Sequence, residues 1–439
     1  MDDGYTRSGG LSAGTAVAFA VGNMVGAGVF VLSGLMIQTA GPAAILSYLL
    51  CGILVAFTGL SYAVLASICP GDGGGYLYAH RMLGPYPGFL AGWGMYISVT
   101  IASAFVLLGL GIYANRLLGT AFDPRIAALA GLALLTVLNL RSTAEAGRAE
   151  VALVAVKIAI LTLVAVVGAT YLTPADLTPF FPHGTGAMFD GVAMVFFAYL
   201  GFQVVAMMGG EIKSSARVVP LATLASIGIV AVIYCGVEVA LLAARLPAYG
   251  ESSLFDAAIV FFGGWGGTII ALGAIFSTLS AANANIIGGS RVILTMAAEK
   301  QIPGRFAVLR GEKPANAVLL SAGVAAGLIL LGDLGVIVDL TNTVALVSMA
   351  LVNISAVVLT LGHRTVPGDR TYFKVPFGPL LPLVGAGSCI LMLVTLPLSI
   401  LAAGGAALLA GTLFFVIEDT PEGERAAAEI REFIGKEGG

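Results

Sequence analysis

Apolar segments recur along this chain, most of them long enough to cross a hydrocarbon layer, with charged, proline-rich or glycine-rich breaks between them. They fall at 11–37, 43–69, 84–114, 125–140, 149–172, 187–210, 219–245, 266–298, 315–332, 336–362, 378–396 and 398–417. A run of about 20 apolar residues closes its own backbone hydrogen bonds only as a helix in a bilayer. Only 10% of the residues are charged, against about 25% in a soluble domain. Mean hydropathy is +0.99. The chain therefore reads as an all-α integral membrane protein with about 12 transmembrane helices. Pro397 and the pair Gly404-Gly405 make the last two segments a tight hairpin rather than one long helix.

The basic residues test this count, because they favour the cytoplasmic side. With the N-terminus inside, only Arg116, Arg125 and Arg245 fall outside, and Lys157 and Arg291 fall inside spans. Every other lysine and arginine then lies at a cytoplasmic end or loop. A miscounted helix would scramble this segregation. Both termini are expected in the cytoplasm, with the chain multi-pass in the cell membrane and lipid as its surroundings. The four cysteines, Cys51, Cys69, Cys235 and Cys389, form no CxxC or Cys/His cluster, and His80, His183 and His363 lie apart in loops. No metal site, disulfide framework or nucleic-acid-binding patch is expected. Residues 1–10 lack the basic and small-residue marks of a secretory signal.

Two segments are interrupted. Gly22-Asn23-Met24-Val25-Gly26-Ala27-Gly28-Val29-Phe30 puts three glycines in seven residues of the first. Opened backbone at mid-membrane is tolerated where it lines a cavity or meets a ligand, although small residues at this spacing also serve close helix packing. The loop 173–186, with Pro174, Pro179 and Pro182 and no lysine or arginine, reads as an extracellular connector. Just beyond it, Phe196-Phe197-Ala198-Tyr199-Leu200-Gly201-Phe202 interrupts the sixth segment. A broken first helix in each half points to an inverted repeat with a midplane site. The organisation is then a cytoplasmic segment 1–10, a first repeat 11–172, the connector 173–186, a second repeat 187–362, two further helices in 363–417, and a cytoplasmic tail 418–439.

These residues resemble the amino acid–polyamine–organocation superfamily of secondary transporters. Gly22, Gly26, Gly28 and Phe30 resemble its GxxxGxGxF signature. Ser61-Tyr62-Ala63, Pro70 to Tyr78 and Gly92-Trp93 resemble its second and third spans. Phe197 to Phe202, Glu211-Ile212-Lys213 and Val219-Pro220 fit its sixth span and exit. Gly289-Ser290-Arg291-Val292 and Ala298 to Pro303 resemble its ASR…A(K/R)DGxLP ending. The likeness covers most of residues 11–310 and is strongest to prokaryotic, proton-coupled, broad-specificity amino acid transporters. It implies the leucine-transporter-type 5+5 inverted repeat with helices 1 and 6 discontinuous, plus 2 extra helices. Two departures stand out: Gln203 where many relatives carry glutamate, and Ser214-Ser215 where Asn-Pro is usual.

Lys157 is the sharpest single residue. It lies two helical turns into the fifth span, counted from Glu150. A charged lysine at the bilayer centre costs on the order of 3 kcal/mol. It either faces a polar cavity and exchanges protons, or donates permanently to helix carbonyls. The resemblance implies proton coupling, with the amine standing where sodium sits in sodium-coupled cousins of the fold. By matched motifs its partners are the opened backbone near Gly22 and Ser277, with Ser280 as second choice. No sodium site is expected, since a nearby ammonium repels a bound cation; the proton is the coupling ion, and no cofactor is expected.

Gly26, Ala27 and Gly28 are the candidate carboxylate cradle, at the positive end of a half-helix. Phe197, Ala198, Tyr199 and Leu200 offer carbonyls to an ammonium, and the two together suit a zwitterion. Phe197 and Phe202 are candidate covers, or ordinary packing aromatics; Phe202 and Gln203 are the candidate gate. Glu238 is a second ionisable group inside a span, unexpected from the family pattern, with a functional or a structural role. Asn283, Asn285, Asn342 and Asn353 read as contacts between helices. The expected function is import of small or neutral amino acids by proton symport with alternating access. The rival is an amino acid or polyamine exchanger that needs no proton gradient, which Glu238 would favour for a cationic substrate. A channel or membrane sensor is a different class, and no catalytic constellation points to an enzyme.

Overall fold

Helices occupy the apolar segments, and glycine and proline decide where they stop. The computed structural model describes residues 11–141, 146–309, 314–331, 334–362 and 373–419. The segment 1–10, the tail beyond Asp419, His363, and the basic residues Arg7, Arg310, Lys313, Arg364, Arg370, Arg425, Arg431 and Lys436 lie outside the described residues. The first segment is α1 (Ala13–Met24), a break, a π-helical turn (Gly28–Leu32) and α2 (Ser33–Ala40). There follow α3 (Ala44–Ile68), α4 (Gly75–Leu83), α5 (Pro85–Leu118), α6 (Pro124–Leu140) and α7 (Ala146–Tyr171). Beyond the connector come α8 (Gly184–Tyr199), a second break, α9 (Phe202–Met207), α10 (Ser215–Ala244), α11 (Ser253–Phe262) and α12 (Gly264–Ala298). The remainder is α13 (Ala315–Leu331), α14 (Leu334–Thr360), α15 (Leu380–Thr395) and α16 (Leu398–Asp419).

Among the described residues, eight helical runs are long and apolar enough to cross a membrane, and four apolar helices are shorter. The first run, Ala13–Ile68, takes in two of the segments marked out by sequence. Two short helices, α4 and α11, were not anticipated, because nine or ten residues cannot register as a span. Local chemistry sets the ends. Pro85 opens α5, where its missing N–H costs nothing, and Gly119 closes it in the left-handed conformation. Asp123 caps α6 by accepting from Arg125 N. Leu396 is extended ahead of Pro397, which ends α15 before α16 begins at Leu398.

Helix α5 runs through the centre, packed along α12 and α14. Of its most apolar window 89% is buried, against 17% for α16. Leu398, Val394 and Val232 are exposed on the outside, as a lipid-facing surface requires.

Two of the three arginines expected outside are neutralised by carboxylates: Arg116 by Asp256, and Arg245 by Asp176 at 2.6 Å. The Arg245 guanidinium, helped by Thr173, holds the Asp176 carboxyl well below the usual carboxylate range. The pair is therefore intact from neutral pH down through the ordinary carboxylate range, and is lost only in stronger acid. Arg245→Ala is expected to speed backbone hydrogen exchange severalfold at 173–177 between pH 5 and 8 while transport persists; unchanged exchange there would mean the pair does not pin the connector.

Candidate functional site

The two breaks cross at contact distance. After Met24 the backbone leaves the helix at Val25 and Gly26. In the second break Leu200 is extended and Gly201 has φ +137°, a conformation only glycine adopts without strain. A Cβ on Gly201 would stand 2.6 Å from Met24 N, and one on Gly28 would stand 2.8 Å from Ala198 Cα. Met24 thus lies against Gly201 and Gly28 against Ala198, so the two segments pass each other antiparallel.

Three carbonyls at and just beyond the end of α1 accept from donors on three different surrounding helices. Lys157 Nζ on α7 donates to Gly22 O at 2.6 Å. Tyr234 Oη on α10 lies 2.7 Å from Met24 O and 2.9 Å from Ala198 O, so its one proton is shared between the two breaks. Ser277 Oγ on α12 donates to Val25 O. The sequence put Ser277 ahead of Ser280 as a partner of Lys157. In the structure Ser277 engages Val25, while Ser280 Oγ lies 3.4 Å from Lys157 Nζ.

Although most of α7 faces outward, Val154, Lys157, Leu161 and Val164 form a buried stripe at helical spacing, and Lys157 is 2% exposed. Tyr234 was missed, because a tyrosine in an apolar span looks like any packing aromatic. Tyr234→Phe is expected to keep the fold and slow transport by about tenfold, the equivalent of one to two hydrogen bonds. An initial-rate uptake assay checks this, and a wild-type rate would show that the hydroxyl is dispensable.

A small cavity lies where the breaks cross. A volume of about 20 Å³ is lined by Asn23, Met24, Gly26, Ala27 and Gly28 from the first break and by Phe197, Ala198, Leu200 and Gln203 from the second. Ser98, Val99, Ala102 and Val106 of α5 and Asn285 of α12 complete the wall. Among these described lining residues, no side chain is charged. Ala27 and Gly28 open the second half-helix of the first segment, so their N–H groups have no preceding turn to bond. Asn23 Nδ2 donates to Asn285 Oδ1 at 3.1 Å, while Asn23 Oδ1 is buried with no partner among the described residues.

The second break offers fewer open carbonyls than its sequence suggests. Phe197 O accepts from Leu200 N, and Ala198 O is taken by Tyr234. Gln203, the candidate gate, accepts from Gly201 N at 2.8 Å and so braces the break. Phe197 packs edge-on against Phe105 at 4.5 Å. Two expected site residues are not brought to the cavity: Tyr199 donates to Tyr48 O at 2.8 Å, and Phe202 packs edge-on against Tyr62. One residue past a break, a helix has already turned Phe202 away.

Glu238 is buried outside the cavity wall. Arg291 pairs with Glu211 at 2.5 Å, in a region where Asp72 Oδ1 also accepts from Gly210 N and Leu11 bonds the backbone of Glu211. Asn283, Asn342 and Asn353 each bond across helices, to Asn139, Ala193 O and Thr58.

Residues 15–417 match the amino acid permease family. The methylthioribose transporter of Bacillus subtilis (strain 168) is 31% identical over 412 residues, covering 88% of each chain. The branched-chain amino acid permease BcaP of the same organism is 26% identical over 402 residues, covering 86% of this chain and 85% of the relative. The cationic amino acid transporter 6, chloroplastic, of Arabidopsis thaliana is 27% identical over 363 residues, covering 74% of this chain and 61% of the relative. With its apolar helices and its match across nearly the whole length, the chain belongs to the amino acid permease family of the amino acid–polyamine–organocation superfamily, and is a multi-pass membrane transporter rather than an enzyme.

Proposed function

We propose that this protein imports small or neutral amino acids across the cell membrane by proton symport with alternating access. The carrying observation is the uncharged cavity between the crossed breaks, which offers half-helix N–H groups at Ala27 and Gly28 and an unpartnered acceptor at Asn23 Oδ1. The first suits a carboxylate and the second an ammonium. A cavity without acidic or basic side chains favours neutral over cationic substrates. The antiparallel contact of the breaks supports two inverted five-helix repeats, with α15 and α16 added and both termini cytoplasmic.

Lys157 carries the proton. As an ammonium it makes a charge-assisted bond to Gly22 O and holds the end of α1 in place; as a neutral amine it holds that end about half as strongly. Proton loss then frees the inner half-helix to move. No sodium ion takes part, because the ammonium supplies the positive charge.

A second reading is specific to the cavity. Its amides and Ser98 also suit a neutral hydroxylated ligand, and one relative is a methylthioribose transporter. The test is counterflow in proteoliposomes with labelled amino acids and labelled methylthioribose, with and without an inward proton gradient. Gradient-driven uptake of a neutral amino acid without internal substrate is expected. An absolute need for internal substrate would favour exchange, and uptake of methylthioribose alone would favour the second reading.

A further inference from the structure

Glu238 lies in α10 one helical turn beyond Tyr234, the residue that touches both breaks. It is 0% exposed, and neither carboxyl oxygen has a hydrogen-bond partner among the described residues. The Ser33 hydroxyl, at the start of α2, faces it without completing a hydrogen bond and lies 3.3 Å from Tyr48 Oη. The other groups around it are Tyr48 of α3, Tyr249 in the loop before α11, and Tyr234 and Cys235 of its own helix. Among the described side chains, the charged groups on the other elements packed against α10 are engaged elsewhere: Lys157 of α7 on Gly22, Asp256 of α11 on Arg116, Asp176 on Arg245, and Glu211 on Arg291.

A carboxylate offers four acceptor sites and needs donors when buried; a carboxylic acid needs only one acceptor for its O–H. Among the described residues, the surroundings supply hydroxyl acceptors and no cation. The geometry points to a second proton-binding site at Glu238, which holds a proton while α2 packs on α10 and releases it to water at the outer face when α2 moves away. In that step the Glu238 O–H bond breaks, the proton passes to water, and a hydrated carboxylate remains. The inference rests on the alternating-access reading, in which α2 is the outer half of the first broken helix. It adds a proton step on the outer side to the one at Lys157.

Infrared spectroscopy of the full chain in lipid tests it directly. The wild type at neutral pH is expected to show a buried carboxylic acid C=O band that Glu238→Gln removes. Hydrogen exchange of 33–40, corrected for its intrinsic pH dependence, is expected to rise severalfold from pH 6 to 9 in the wild type and to stay at the low-pH value in Glu238→Gln. A spectrum unchanged by the substitution, or identical exchange profiles, overturns the proposal. If Glu238→Gln does not fold, a shift of the same band in Glu238→Asp decides. Loss of gradient-driven uptake in Lys157→Ala tests the transport reading separately, since the band belongs to Glu238 alone.

Discussion

Lys157→Ala is expected to cut proton-driven accumulation by roughly 10- to 100-fold while the protein still folds and inserts. The estimate follows from the contact removed. A charge-assisted hydrogen bond of 2.6 Å joins α7 to Gly22 O at the end of α1, and such bonds contribute about 1.5–3 kcal/mol, a factor of about 10 to 100. Folding survives because Val154, Leu161 and Val164 keep the inward stripe of α7 buried. Counterflow, which needs no net proton movement, is expected to fall less than accumulation does. Uptake against an imposed gradient, measured at several pH values between 5 and 8, checks the effect. Wild-type accumulation across that range in the variant would remove Lys157 from the coupling mechanism.

Gly201→Ala is expected to abolish substrate binding and to lower the stability of the folded protein. Two costs coincide at this position. The φ of +137° strains any residue with a Cβ, by about 1–3 kcal/mol. The new methyl would also stand 2.6 Å from Met24 N and 2.9 Å from Asn23 C, both backbone atoms that cannot swing aside, which adds about 1–3 kcal/mol. Relief requires the breaks to part, and parting them dismantles the cavity they form. Gly28→Ala meets the same obstacle at 2.8 Å from Ala198 Cα, without the φ strain, and is expected to be milder. Gly14→Ala, with nothing within 4 Å of its Cβ position, serves as the control and is expected to transport normally. Ligand-induced thermal stabilisation of the three variants measures the ranking; Gly201→Ala behaving like Gly14→Ala would show that the close crossing is not needed.

What could be read in the sequence was whatever violates the rules of an apolar helix. The glycines around Gly26 and at Gly201 read as interruptions or as close-packing positions, and the structure interrupts both helices there. Lys157 was conspicuous because a charge in hydrocarbon demands a partner. The residues that conform to those rules were invisible. Tyr234 gains its meaning only because α10 crosses both breaks at once. Ser98, Val99, Ala102 and Val106 form a wall because α5 runs through the centre of the bundle, and nothing in their spacing marks them. Asn285 read as an ordinary interhelical amide and Asn23 carried no reading of its own, yet the two bond at the cavity, where Asn23 Oδ1 has no partner among the described residues. Phe202 shows the converse: adjacency to a break in sequence says nothing about direction, and its ring is packed on Tyr62.

The most direct measurement is calorimetric binding of a transported amino acid to the purified protein, compared with its decarboxylated amine and its N-acetyl derivative. If half-helix N–H groups hold the carboxylate while Asn23 Oδ1 and the second break hold the ammonium, each analogue loses one anchor and binds about tenfold or more weakly than the parent. Equal affinity for either analogue would contradict a site built to grip both ends of the molecule.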